Sequence, residues 1–411
     1  MKLTLDSLKK SVEEDAAIRR VQRLQPVGGQ GDKIFPPTYP GEGRNAPPRH
    51  VYERRRLNGK EIWCVLVDSV QSQANRLEEC LLHTIGDGVP IPHVEVDFSR
   101  AKLDGITKIT SLDAPHRIYD AILRDSLLNR QPFMESVDGQ RLAKAKTEDA
   151  SAILEISPTA LLFGAWHSTG EGGGLGAKFA RCLVSEIVGV DVPVEDVVDR
   201  RTGEIIDIRT AGRRTGSRID PLGVLRKVDV FKGENGWSTT EAAAGKKAKK
   251  VKPSEINHGN IVPSIQPLGV TCDHAEHSFV LSFAALRRVR FGGGEKDTVG
   301  RGLLAALGLV ALAEQDAQGY ALRSRCDLVC DGRAPLELVH PDGTIEAIEI
   351  DRAAARALYQ ETFESAHKAG FALSAKPLRL APQAKLVEIV RKSQELALAG
   401  VGGEGEEAGQ E

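Results

Sequence analysis

The residues best suited to chemistry lie between His167 and Arg181. Ser168-Thr-Gly-Glu-Gly-Gly-Gly-Leu-Gly176 holds five glycines in nine residues, just ahead of Lys178 and Arg181. Glycine lets backbone N–H groups come close to an oxyanion, and the start of a helix adds partial positive charge. The pattern predicts a strand over Ala160–His167, the glycine loop, and a helix from Ala177 to about Val188 with Phe179, Leu183 and Ile187 on its buried side. Strand, glycine loop and helix together form a phosphate cradle, with His167, Ser168, Gly172, Gly173, Gly174, Lys178 and Arg181 as candidate contacts.

Two other readings stay open. A nucleotide-binding P-loop closes on Gly-Lys-Ser/Thr, whereas Gly176 is followed here by Ala177, Lys178 and Phe179. The dinucleotide fingerprint also lacks a placed acidic residue. A phosphate- or nucleotide-binding enzyme using residues 168–178 is therefore the alternative function, and a glycine turn needed only for packing is the bland one.

Elsewhere the chemistry is thin. Cys272-Asp-His274-Ala-Glu-His277 offers possible metal ligands without a second cluster at a familiar spacing, so a polar loop before a strand, and no metal, is expected. Asp68 and Asp120 are lone carboxylates with no placed base or nucleophile, and no catalytic residue is assigned. No cofactor is expected. The six cysteines are scattered among apolar neighbours and read as reduced core residues.

The elements that position these groups start with Glu61–Leu82. Ile62–Val67 reads as a buried strand, Asp68 or Ser69 as a helix cap, and Val70, Ala74, Leu77 and Leu81 as the apolar stripe of the helix that follows. Gln71, Gln73, Asn75 and Arg76 are candidate ligand contacts at the strand's carboxyl end. Upstream, residues 1–25 suggest a charged helix and Pro26–Pro48 a loop; Tyr52-Glu-Arg-Arg-Arg56 adds Arg54 and Arg55 as candidates. Downstream the pattern predicts a strand at Val94–Phe98, a helix over Pro115–Leu128, paired strands at Ser278–Phe283 and Leu286–Phe291, and a buried helix around Leu303–Ala313. A strand near Ile345–Ile350 and helices over Ala353–Lys368 and Pro382–Leu396 follow. The fold class is α+β.

At 411 residues, 41% of them hydrophobic, the chain can bury a sizeable core. No apolar run is long enough to span a bilayer, and the charged start is neither signal nor transit peptide; no membrane partner and a cytoplasmic location are expected. The net charge of -2 hides an asymmetry: Arg200–Lys252 carries 14 Lys or Arg against 6 Asp or Glu, an excess of 14 - 6 = +8. Such a segment gains free energy by releasing counterions from phosphates. Asp199–Asn260 reads as an insertion, with Arg213, Arg214 and Arg218, a strand-like Lys227–Phe231 and Ala- and Lys-rich low complexity. The last eleven residues hold four glutamates and no base, which predicts a disordered acidic tail.

Three separated stretches, Phe35-Pro-Pro-Thr-Tyr-Pro-Gly41, Val67-Asp-Ser-Val-Gln-Ser-Gln-Ala-Asn-Arg-Leu-Glu78 and Pro253-Ser-Glu-Ile-Asn-His-Gly-Asn260, resemble in order the Csb-type backbone subunit of type I-G (formerly I-U) CRISPR Cascade, a member of the RAMP superfamily. The resemblance covers about residues 30 to 395. It implies an RRM-like (ferredoxin-like) antiparallel sheet with helices and a basic thumb-like insertion. It divides the chain into a helical segment (1–30), a core in two parts (31–198 and 261–397), the insertion (199–260) and the tail (398–411). It also implies a non-catalytic protein that oligomerises along guide RNA (crRNA) in a helical filament. The implied partners are crRNA, the target DNA strand through pairing with the guide, other copies of the chain, and the large and guide-processing or capping subunits of Cascade. His258 and Asn260 join the RNA-binding candidates on this ground.

Overall fold

Residues 17–26 alternate between two environments: Ile18, Arg20, Gln22 and Leu24 are buried while Val21 and Arg23 are exposed, the period of a strand with one covered face. In the computed structural model, which describes residues 1–41, 48–57, 59–167, 178–198, 201–203, 205–209, 213–214, 219–260, 265–266 and 268–398, this strand is β1 (Ala17–Pro26) of a nine-stranded sheet. The others are β2 (Tyr52–Leu57), β3 (Lys60–Asp68), β4 (Leu183–Val190), β5 (His274–Ser282), β6 (Tyr320–Arg323), β7 (Cys326–Cys330), β8 (Leu336–Val339) and β9 (Ile345–Ile348). Their order is β6-β7-β1-β5-β4-β3-β2, with β8 pairing to β1 and β9, and the pairs are antiparallel.

Helices α2 (Val70–Gly86) and α3 (Glu295–Gln318) supply the apolar cover. Ala74, Leu77 and Leu81 of α2 and Leu303 to Leu312 of α3 share one core with Ile18, Leu183, Phe279 and Leu281 of the sheet. At Gly308 a Cβ would stand 3.1 Å from Leu183, and at Gly300 it would meet the Phe291 ring at 2.6 Å. The helix approaches its neighbours there as closely as a bare backbone allows. On the other face Val21, Val184 and Val280 are exposed. The same face carries the ion-paired Arg19, Arg23 and Arg55, with Glu337, Asp273 and Glu186.

Several sequence expectations hold: β3 running into α2, the strands at Val94–Asp97 and Ile345–Ile348, β5, the buried α3, and the helices α4 (Arg352–Lys368) and α5 (Ala384–Leu398). Others fail for identifiable reasons. The charged helix expected over residues 1–25 is confined to α1 (Leu5–Glu14), closed at its start by a Thr4/Ser7 capping box. The rest is β1, because Arg20 and Gln22 find partners inside: Arg20 Nη2 donates to Asp316 (2.7 Å), and Gln22 Nε2 donates to the Gly332 carbonyl (2.6 Å). The helix expected over Pro115–Leu128 is broken into a turn at Arg117–Tyr119, one helical turn at Ala121–Arg124 and a strand at Ser126–Leu128. Arg117 sits at φ 54°, outside the right-handed helical region, so a continuous helix cannot pass through it. Leu286–Phe291 is not a strand; Ser282 caps a helical turn at Phe283–Leu286 instead.

The helix expected over Ala177–Val188 is instead two strands, Lys178–Phe179 and β4. Leu183, Ser185 and Ile187 point into the core with period two. The strand expected over Ala160–His167 is a short buried helix, Thr159–Phe163, followed by Ala165–Trp166. A short apolar run buried on all sides does not reveal its type by periodicity.

A second sheet of five short strands runs in the order Lys108–Thr110, Val94–Asp97, Leu378–Pro382, Ser126–Leu128, Gln131–Pro132, with the middle strand parallel to Val94–Asp97. The chain divides into two compact units, Met1–Val192 with Thr271–Glu411, and Pro193–Val270. In the second, the stretch read as low complexity is folded: Val230–Gly233 pairs with Gly236–Ser238 and Lys249–Val251 around the buried Val230 and Ala244. No helix among the described residues is long and apolar enough to cross a membrane.

Candidate nucleic-acid interface

The glycine segment turns out to connect two strands of a hairpin. Ala165–Trp166 pairs with Lys178–Phe179, Ala165 opposite Phe179 and Trp166 opposite Lys178. Among the described residues a strand, Lys178–Phe179, and not the expected helix start, follows it. Gly164 opens the ladder at φ 84°, in the left-handed region that glycine enters at little cost. A Cβ there would meet Arg181 Cγ at 2.9 Å and the Phe179 carbonyl at 3.2 Å.

Beneath the hairpin lies a buried ion pair. Arg117 donates through Nε and Nη2 to the two oxygens of Glu78, each at 2.7 Å, and through Nη1 to the Gly164 carbonyl at 3.2 Å. Burial pushes the Glu78 carboxyl up to about 7 against the pull of Arg117. Arg181 Nε donates to the Phe163 carbonyl at 3.0 Å. Burial, and then the charge of Arg117, lower its pKa. The cations thus hold the hairpin base from below.

On the hairpin's surface Trp166 is 55% exposed, and Lys178 Nζ lies 5.8 Å from its ring centre. His167 stacks on Tyr119, with ring centres 4.7 Å apart and planes 5° from parallel. Burial and the nearby Arg124 lower the His167 pKa, so the ring is neutral at neutral pH. A flat exposed ring beside a lysine is the combination that stacks a base while neutralising its phosphate. Of the sequence candidates, His167, Lys178 and Arg181 meet here; Ser168, Gly172, Gly173 and Gly174 lie outside the described residues. Trp166 was missed, although an aromatic residue next to a glycine-rich loop is a signal in itself.

The other candidates separate. On α2, Gln71 and Asn75 face outward. Gln73 does not: it is fully buried, and its Nε2 donates to Asp68 at 2.6 Å, so it positions rather than touches. Arg76 Nε donates to the same carboxylate at 2.9 Å and Nη2 to the Leu322 carbonyl at 2.6 Å. Arg323 Nη2 and Ser72 Oγ donate to the other Asp68 oxygen at 2.9 and 2.8 Å. The helix cap is Ser69, which accepts from Ser72 N–H at 3.2 Å. Asp68 is instead a buried anchor for two arginines.

On the edge ribbon the two arginines point to opposite faces. Arg54 lies 4.7 Å above the Trp63 ring, while Arg55 is tied to Glu53 and donates to Glu186 at 2.8 Å. In the second unit, His258 meets the exposed Trp237 edge to face at 5.6 Å. Asn260 Oδ1 accepts from the Asp220 N–H at 2.8 Å and holds a turn. Arg213 and Arg214 form a two-residue strand paired with Ile265–Gln266, and Arg218 lies outside the described residues.

The remaining polar cluster is internal. His277 is fully buried between Ser185 (2.7 Å at Nε2) and Tyr320 (3.2 Å at Nδ1), and Tyr320 donates to Asp316 at 2.7 Å. Burial pushes its pKa down to about 3. His274 alternates to the other face of β5 and bonds Asp273, so the two histidines cannot share a metal. Among the described residues no group of three His, Cys, Asp or Glu is placed to hold one. Cys64, Cys80, Cys182 and Cys326 are buried as expected, Cys272 is half-buried, and Cys330 is exposed.

β1 from Ile18 onward, the β2–β3 ribbon, α2, the hairpin and β4 lie within one matched span. Residues 18–194 match the family model of CRISPR-associated protein GSU0053. Over that span the chain is similar to a CRISPR-associated family. No curated protein matches the sequence. A solved structure, Thermofilum pendens Csc2, aligns at 11% identity over 95% of this chain and 80% of that one, with a TM-score of 0.26, a likeness too loose to carry any residue across.

Proposed function

We propose that the protein is a non-catalytic, crRNA-binding backbone subunit of a type I-G Cascade, oligomerising along the guide and supporting recognition of the target DNA strand. The observation that carries this reading is the exposed Trp166 with Lys178 over its ring, inside the span similar to a CRISPR-associated family. The strand order supports the RRM-like part. Following β1, α2, β4, β5, α3 and β7 traces a βαββαβ unit with neighbours β7-β1-β5-β4, and the β2–β3 ribbon lies outside β4. In this reading the RNA runs over the hairpin rim, where Trp166 and Lys178 lie. The basic excess of Arg200–Lys252 supports a thumb-like role for that segment. Other copies, the large subunit and the guide-processing or capping subunit are its protein partners, in the cytoplasm.

Against the enzyme alternative, the glycine segment is followed by a strand, which brings no helix-start charge to a phosphate. Asp68 accepts from four side chains and has no capacity left to act as a base. Asp120 accepts from the Ile122 and His116 N–H groups.

The test is purification after co-expression with a guide. The wild-type protein carries nuclease-sensitive absorbance at 260 nm, and the double variant Trp166→Ala, Lys178→Ala loses it while keeping its far-ultraviolet spectrum. A wild-type protein that emerges free of RNA contradicts the proposal.

A further inference from the structure

Two concave pockets differ in their charge. The larger, of about 710 Å³, is lined by Lys2, Arg20 and Arg333 against Asp316, Glu349 and Asp351. Those charges cancel, and Arg20 is already bound to Asp316. The smaller, of about 490 Å³, gathers Arg100, Arg130 and Arg379 around the lone carboxylate of Asp97, a balance of 3 - 1 = +2. Its walls are apolar: Leu127, Leu380, Pro382 and Val387. The volume suits a ligand of about nucleotide size.

Arg130 is the informative residue. It occupies the second position of the two-residue turn Asn129–Arg130 joining Ser126–Leu128 to Gln131–Pro132, with φ values of 50° and 69°. That turn is normally written Asn-Gly, and an arginine in the left-handed region costs roughly 1 kcal/mol. The Arg130 side chain takes no part in a hydrogen bond or ion pair among the described residues, so the hairpin ladder alone offsets the strain. Backbone strain without an internal partner points to an external one. Arg379 is 74% exposed and makes one ion pair, its Nε 3.5 Å from Glu95. The α5 wall is held in place by Gln394 bonding the Asp104 backbone (2.7 and 3.1 Å), Arg391 bonding the Ala101 carbonyl (3.1 Å) and Lys385 pairing with Asp125 (3.0 Å).

We propose that this pocket binds a nucleotide through its phosphate, held between Arg100, Arg130 and Arg379, with base or sugar against Leu127, Leu380 and Val387. Guanidinium forks match phosphate oxygens, and a bare anion would have no use for the apolar walls. The site does not depend on the hairpin reading, and either can fail alone. The nucleotide comes free in solution or as a unit of a strand.

The experiment is calorimetric titration of the full chain, in the Trp166→Ala, Lys178→Ala background, with uridine 5′-monophosphate and separately with a short oligouridine. Arg130→Gly is the deciding substitution, because glycine relieves the φ strain and leaves the turn at least as stable. At least one probe binds, and Arg130→Gly weakens it about tenfold or more, with the melting temperature unchanged or raised; Arg379→Gln weakens the same probe. Binding of the mononucleotide identifies a free ligand, and binding of the oligonucleotide alone identifies a strand. If neither probe binds, or Arg130→Gly binds as tightly as its parent, the proposal is wrong.

Discussion

Lys178 lies over the indole of Trp166, its Nζ 5.8 Å from the ring centre, across the two-residue ladder that closes the glycine loop. Stacking and charge are therefore side by side but separable. Trp166→Ala lowers RNA affinity by about 1–3 kcal/mol with an unchanged salt slope, since a stacked base releases no counterion. Lys178→Ala removes about 0.7 from the slope of log K against log salt and weakens all sequences alike. Filter binding of mixed-sequence RNA at several salt concentrations distinguishes the two. Equal slopes for wild type and Lys178→Ala contradict the assignment.

Asp68 binds Arg76, 8 residues along the chain, and Arg323, 255 residues along it. Replacing it with alanine leaves two partly buried guanidiniums without their counter-charge, a loss of about 3–5 kcal/mol. Asp68→Asn, which keeps one acceptor, costs less. Urea denaturation gives both values, and a cost below about 1 kcal/mol for Asp68→Ala shows that the anchor is dispensable.

His277 is held neutral, its pKa pushed from 6.5 down to about 3 by burial, with Arg20 adding to the shift and Asp316 and Asp68 opposing it. A base with a lowered folded pKa stabilises the fold fully above its ordinary value. That stability is lost as pH falls from about 6.5 toward 3, at roughly 1.4 kcal/mol per unit. Glu78, raised from 4.5 to about 7, has the opposite sign: its contribution disappears as pH rises through that window. The difference between wild type and His277→Gln therefore isolates the histidine. Unfolding free energies measured at pH 4 to 7 fall more steeply on acidification for wild type than for His277→Gln; parallel curves disprove the coupling.

How far the sequence reveals this structure depends on where each residue's partner lies. β3 and α2 are legible because the apolar period switches cleanly from strand to helix at Asp68-Ser69. β1 is not, because Arg20 and Gln22 read as surface residues until Asp316 and Gly332, some 300 positions away, are brought to them. Both flanks of the glycine segment differ from what their sequence suggests: the apolar run before it has no visible period, and β4 shares its apolar spacing with a helix. Gln73 and Arg76 sit at the expected end of β3, but the buried Asp68 turns one inward and fixes the other. Trp166 stands one residue before a recognised candidate, and only its exposure distinguishes it from a core aromatic.

The central claim is that copies of this chain hold a guide by its backbone, head to tail, in an open helix. Chemical probing of the guide in the purified assembly, repeated with lengthened guides, tests it most directly. Contacts directed at the backbone predict regularly spaced reactive nucleotides whatever the guide's sequence, and additional copies of the chain on longer guides. Reactivity that follows the sequence, or a fixed number of copies as the guide grows, contradicts it.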